Sequence, residues 1–160
     1  MKKILFKRKP IVCLTAYNKF TAQIADEFCD LILVGDSLGM AYYGFSTTRA
    51  VKLDDIIRHA KSVKLGIKKS IMVVDMPFGT YNTKKSALKN AKKIIQVTKC
   101  DAVKLEGGKE KSEIIKYLIK NKISRGQAHR IFCLERAALA AALLRNIALL
   151  LSFVSGFGFR

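Results

Sequence analysis

A chain of 160 residues, half of them hydrophobic, can bury about 70% of the surface its unfolded form exposes, so a disordered chain is excluded and one domain is expected. The formal charge of +18 is spread along predicted helices (Lys61, Lys64, Lys68, Lys84, Lys92, Lys111, Lys116, Lys120) with few aromatic residues between and no helix-turn-helix, RRM or finger spacing, so a solvated basic surface is expected and no specific nucleic-acid site. The cysteines, Cys13, Cys29, Cys100 and Cys133, stand far apart without CxxC spacing or companion histidines, which argues against a zinc site or redox pair and fits reduced thiols in a cytoplasmic protein.

From the amino terminus, "MKKILFKRKP" is basic, but its apolar stretch is too short for the core of a signal peptide, so export is not expected. Short apolar runs rich in β-formers then alternate with helical patterns. The spacing predicts a strand over 11–17, a helix over 20–29 and a buried strand over 31–34. Next come a helix over 53–66, with Asp54 and Asp55 in its first turn and Gly66 at its stop, and a strand over 70–78. A helix over 83–99 capped by Thr83, a strand and turn over 102–108 and a helix over 110–121 complete four strand-then-helix units. Strands that are apolar on both faces and alternate with helices belong to parallel sheets, either open and doubly wound or closed into a barrel.

The polar residues at the strand ends are the informative ones. The second strand runs into Gly35-Asp36-Ser37, the third into Asp75-Met76-Pro77, and the fourth contains Lys104 and Glu106 before Gly107-Gly108. In a parallel sheet or barrel all carboxyl ends open on one face, so three carboxylates distant in sequence would converge there. Gathered anions need a positive partner, and oxygen-only ligands without Cys or His suit a hard divalent ion, Mg²⁺ first. Lys104, two residues before Glu106, points to the same side of its strand and can bind a substrate carboxylate. Each acid also has a plainer reading. Asp36 and Asp75 could start turns, and Gly107-Gly108 could simply end a strand. His59 falls within a predicted helix, where a surface or packed role is expected. Ser37 has no neighbouring base and no GxSxG elbow, so serine nucleophile chemistry is not supported.

With "VGDSLGM" (34–40), "TTRAVKLDDIIRHAKSVKLG" (47–66), "VVDMPFGTY" (73–81) and "VKLEGG" (103–108) in this order, the chain resembles the ketopantoate hydroxymethyltransferase family from about residue 10 to 123. The resemblance implies the amino-terminal half of a (β/α)₈ TIM-type barrel, four βα units, followed by a helical or poorly ordered tail. It implies a cytoplasmic enzyme of pantothenate synthesis that moves a one-carbon unit from 5,10-methylenetetrahydrofolate to 3-methyl-2-oxobutanoate, giving 2-dehydropantoate. By motif position it implies Asp36, Asp75 and Glu106 for Mg²⁺, and Asp36, Ser37, Asp75 and Lys104 for the oxo acid. A homo-oligomer, a decamer in the family, would follow for a whole subunit.

After residue 123 the chain departs from that pattern. The first 123 residues hold 22 Lys and 3 Arg, whereas residues 124–160 hold no Lys, 5 Arg and Glu135 as the sole acid. The strand leading to the family's "GHxGL" motif and the glutamate that serves as its general base have no counterpart here, so no catalytic residue is assigned. The expected division is a partial barrel over 1–123 and an apolar, Arg-containing tail over 124–160, read as out-of-frame translation, with little turnover by this chain alone. The stretch 137–154 reaches the length of a membrane-spanning helix but carries Arg145 and Asn146 near its middle, so a membrane anchor is not expected. The alternatives to the enzyme are a basic nucleic-acid-binding protein and a membrane-attached protein without catalytic function.

Overall fold

A computed structural model of the chain describes residues 11–107, 109–121 and 130–134. Their strands form one sheet in the order β1-β2-β3-β4-β5, every neighbouring pair parallel. The strands are β1 (Cys13–Thr15), β2 (Leu31–Val34), β3 (Ile71–Asp75), β4 (Ala102–Glu106) and β5 (Arg130–Leu134). Between them run α1 (Lys19–Phe28), α2 (Leu38–Tyr43), α3 (Leu53–Lys64) and α4 (Lys84–Thr98), and α5 (Ser112–Lys120) follows β4. A strictly sequential order has no point of reversal, so the open doubly wound alternative is set aside in favour of the barrel-type winding.

Alternation along the strands separates two apolar layers. Ile32, Val34, Met72, Val74, Val103 and Leu105 join the helices in one continuous core, while Leu31, Leu33, Val73 and Ala102 form a smaller cluster on the opposite face. Helix faces match this division: Ile56, Ile57, Ala60 and Val63 of α3 and Ala87, Ala91, Ile94 and Ile95 of α4 are buried. Each fully buried Ile or Leu contributes about 1.5–3 kcal/mol. At α4 the predicted cap is present, with the Thr83 hydroxyl accepting the Ser86 N–H at 3.1 Å. Gly66 serves a purpose other than stopping α3. A Cβ there would lie 2.3 Å from the Lys19 carbonyl oxygen, so its bareness lets the end of α3 reach α1.

Three acids at the amino-terminal ends of the strands tie the units together. The Asp26 carboxylate accepts N–H bonds from Lys68, Lys69 and Ser70, and the Asp30 and Asp101 carboxylates accept those of Val12 and Met72. Two elements depart from the sequence expectation. The segment after Asp36 is a short helix, α2, where the plainer reading of the sequence has Asp36 starting a turn. Within the segment expected to be a helical or poorly ordered tail, residues 130–134 form β5, in register with β4 from Ala102 opposite Arg130 to Glu106 opposite Leu134. The rest of the tail, with Glu135 and the stretch 137–154, lies outside the described residues.

Candidate functional site

Asp75 ends β3 and faces Lys104 of β4 as its register partner. Both continue the side-chain face of Val73 and Ala102, away from the main helices, and therefore emerge where that face opens at the carboxyl ends of the strands. The Lys104 ammonium donates to Asp75 Oδ1 at 2.5 Å and to Glu106 Oε1 at 3.4 Å. The other Asp75 oxygen accepts the Asp36 N–H at 3.2 Å. Beyond β2 the chain turns sharply, the Gly39 N–H donating to the Asp36 carbonyl. A Cβ on Gly35 would stand 3.0 Å from Ser37 Oγ and 3.5 Å from Asp75 Oδ2, so glycine lets this turn press against the acids. Asp36, Ser37, Asp75, Lys104 and Glu106 are thus brought to one mouth.

Charge at this mouth is unbalanced. Among the described residues one ammonium, that of Lys104, lies against Asp75 and Glu106 and near Asp36, and Asp75 and Lys104 are almost wholly buried. Burial pushes the Asp75 carboxyl up to about 6, with Asp36 adding to the shift and Lys104 opposing it. Asp36 is also raised, by burial and by Glu106, against Lys104 and a hydrogen bond from Thr48. Burial works against the charge of Lys104, but Asp75, Glu106 and Asp36 outweigh it and hold the ammonium above its ordinary range. Surplus negative charge on hard oxygen donors fits a divalent ion such as Mg²⁺. Among the described residues no ready cluster of three acidic or His/Cys ligands is gathered, because the Lys104 ammonium lies between Asp75 and Glu106.

A cleft of about 230 Å³ opens beside Glu106, walled by Arg49, Phe78, Tyr81 and Lys111. The Arg49 guanidinium lies 4.7 Å from the Phe78 ring centre and the Lys111 ammonium 5.6 Å from that of Tyr81. Burial and the charge of Glu106 raise the Tyr81 phenol to about 12, against a hydrogen bond from the Glu106 backbone. Gly107, at φ 136°, turns the chain away from β4 in a conformation reserved for glycine. Sequence reasoning did not find this cleft, whose residues come from three segments with no shared spacing.

It also passed over Tyr17, just beyond β1, whose hydroxyl lies 2.7 Å from Ser37 Oγ. Tyr17 stands at a strand's carboxyl end like the acids, but an uncharged aromatic there gave no signal. His59 packs edge-on against Tyr42 and Tyr43 and is hydrogen-bonded to the Tyr17 carbonyl, so the expectation of a packed histidine is met. Among the described residues no helix is long and apolar enough to cross a membrane.

A sequence profile described as ketopantoate hydroxymethyltransferase matches residues 1–126. The chain is 61% identical over 127 residues to the 3-methyl-2-oxobutanoate hydroxymethyltransferase of Pelagibacter ubique, covering 76% of this chain and 49% of that protein. It is 56% identical over 116 residues to the protein of the same name from Rhizobium etli, covering 72% and 42%. The chain therefore spans about half the length of the curated relatives it matches. Among solved structures, a phosphoenolpyruvate phosphomutase from Streptomyces platensis subsp. rosaceus superposes with a TM-score of 0.67 at 16% identity, over 87% of this chain and 55% of that one. A phosphonopyruvate hydrolase in complex with oxalate and Mg²⁺ superposes with a TM-score of 0.64 at 10% identity, over 84% and 50%. At these identities the likeness establishes the fold.

Proposed function

The chain belongs to the ketopantoate hydroxymethyltransferase family, and from that premise we propose that its mouth binds 3-methyl-2-oxobutanoate for hydroxymethyl transfer from 5,10-methylenetetrahydrofolate. The observation that carries the reading is the Asp75–Lys104–Glu106 cluster beside Asp36 and Ser37 at the carboxyl ends of three successive strands. An α-oxo acid offers a carboxylate and a keto oxygen on adjacent carbons. The Lys104 ammonium and the Ser37 hydroxyl supply donors for the carboxylate, and their attachment to the sheet and to α2 fixes its orientation. Asp36, Asp75 and Glu106 would hold Mg²⁺, which would supply positive charge where the keto oxygen becomes negative as the neighbouring carbon loses its proton. The buried walls of the mouth keep these charges from being screened. The carbon would bond to the methylene of the donor as the methylene's bonds to the folate nitrogens break, the nitrogens taking up protons and water supplying the hydroxyl of the product.

The cleft beside Glu106 suits that donor, an aromatic compound bearing carboxylates. Phe78 and Tyr81 offer ring surface, and Arg49 and Lys111 offer cations for an acidic tail. The general base is assigned to no residue of this chain, so substrate binding is expected with little turnover. The test is calorimetric titration of the oxo acid with and without Mg²⁺. Binding that needs Mg²⁺ and falls at least about tenfold in Asp75→Asn supports the reading. Unchanged affinity in that variant overturns it, and normal turnover with the methylene donor overturns the expectation that this chain lacks a general base.

A further inference from the structure

We propose that Tyr17, held in place by His59, is a positioning residue that orients the Ser37 hydroxyl as a donor toward the substrate carboxylate. The inference rests on the reading of the mouth as an oxo-acid site.

Ser37 precedes α2, where a serine would ordinarily cap the helix, yet its side chain makes no capping bond. Its backbone is already helical, at φ −56° and ψ −13°, and the hydroxyl turns to Tyr17 instead. In a pair of hydroxyls one must donate. The phenol is the stronger acid of the two, so Tyr17 donates and Ser37 accepts. The serine proton is then left for another acceptor, and a substrate carboxylate at Lys104 is one.

The donor of this pair is itself fixed by groups whose hydrogen-bonding roles are forced. The Tyr17 carbonyl can only accept, so the His59 nitrogen 2.6 Å away, Nδ1, must carry a proton. In the neutral ring Nε2 then has a lone pair, and the Tyr43 hydroxyl at 2.9 Å donates to it. Tyr42 fills the angle between them, with its ring centre 5.4 Å from that of Tyr17 and 5.7 Å from that of His59. Helices α3 and α2 are thereby joined to the backbone of Tyr17 by directed hydrogen bonds, while its phenol is placed by packing on Tyr42 and by Ser37. What these side chains pass on toward Ser37 is hydrogen bonding and ring packing, so their effect on binding is orientational.

The test combines two measurements on the full chain. Nitrogen-15 spectra of the imidazole should give the Nδ1–H tautomer for His59 without any ligand. Calorimetry with 3-methyl-2-oxobutanoate and Mg²⁺ should give about tenfold weaker binding for Tyr17→Phe and for His59→Leu, the loss expected for one hydrogen bond to a charged group. His59→Asn, whose amide can still donate to the Tyr17 carbonyl, should recover affinity to within about threefold of the parent. Tyr17→Phe removes one oxygen and should leave the thermal midpoint within about 2 °C, so a fold defect in His59→Leu would not obscure the result. An Nε2–H tautomer, or a folded Tyr17→Phe chain with parental affinity, overturns the inference. If the parent binds the oxo acid and only this variant is silent, the positioning role fails while the site stands. If the parent does not bind, both fall.

Discussion

Asp75 concentrates the electrostatics of the mouth in one side chain. Its carboxyl titrates near 6 in the folded chain against 3.8 when unperturbed, so folding takes up a proton between those values. The unfolded chain there binds fewer protons than the native one, and stability declines as pH rises from about 4 to about 6, by about 3 kcal/mol, and levels off above. Asp36, shifted the same way, adds to the slope. Urea unfolding across this range should show the decline in the parent and lose most of it in Asp75→Asn. A parental slope surviving in that variant would remove Asp75 as its source. The acids and Lys104 were legible in the sequence because a charge at the end of an apolar run stands out. Tyr17, Arg49 and Phe78 were not, since an aromatic or an exposed cation means nothing until the chain brings a partner to it.

At the scale of elements, the acids on the opposite rim do the joining. Asp26 on α1 gathers the backbone ahead of β3 through three N–H donors and is held below its ordinary range: burial would raise it, but the bonds to Ser70, Lys68 and Lys69 prevail. Its contribution is present above the unfolded value of 3.8 and lost as pH falls through the folded one. Asp26→Ala leaves those N–H groups without their acceptor and should cost about 3 kcal/mol, read as a lowered denaturant midpoint at pH 7. The strands and long helices were legible because their periods are local. Helix α2 was not: six residues with Gly39 inside carry little propensity, and what holds them is contact, a Cβ on Gly39 coming within 2.4 Å of Val51. For β5, the run "IFCL" had strand character, but the change in composition after residue 123 drew the reading toward a foreign tail. Pairing with β4, not composition, decides the strand.

At the scale of the whole molecule, the described sheet has β1 at one edge, and among the described residues β1 pairs with β2 alone. Phe20, Ile24 and Phe28 lie along α1 at i, i+4 and i+8 with 73%, 67% and 73% of their surface exposed. An apolar stripe of this kind favours self-association. Replacing Phe20 and Phe28 with lysine should lower the scattering mass at a given concentration while moving stability by no more than about 0.5 kcal/mol per site. Unchanged scattering would point to another surface.

The pairing of β3 with β4 sets Asp75 opposite Lys104. Slide one strand by a single residue and the lysine swings beneath the helices, while Val103 takes its place at the mouth. An ammonium stranded in that oily layer would cost several kcal/mol. Mispaired chains are thus penalised by the very group proposed to meet the substrate, so the ion pair also favours one alignment of the sheet.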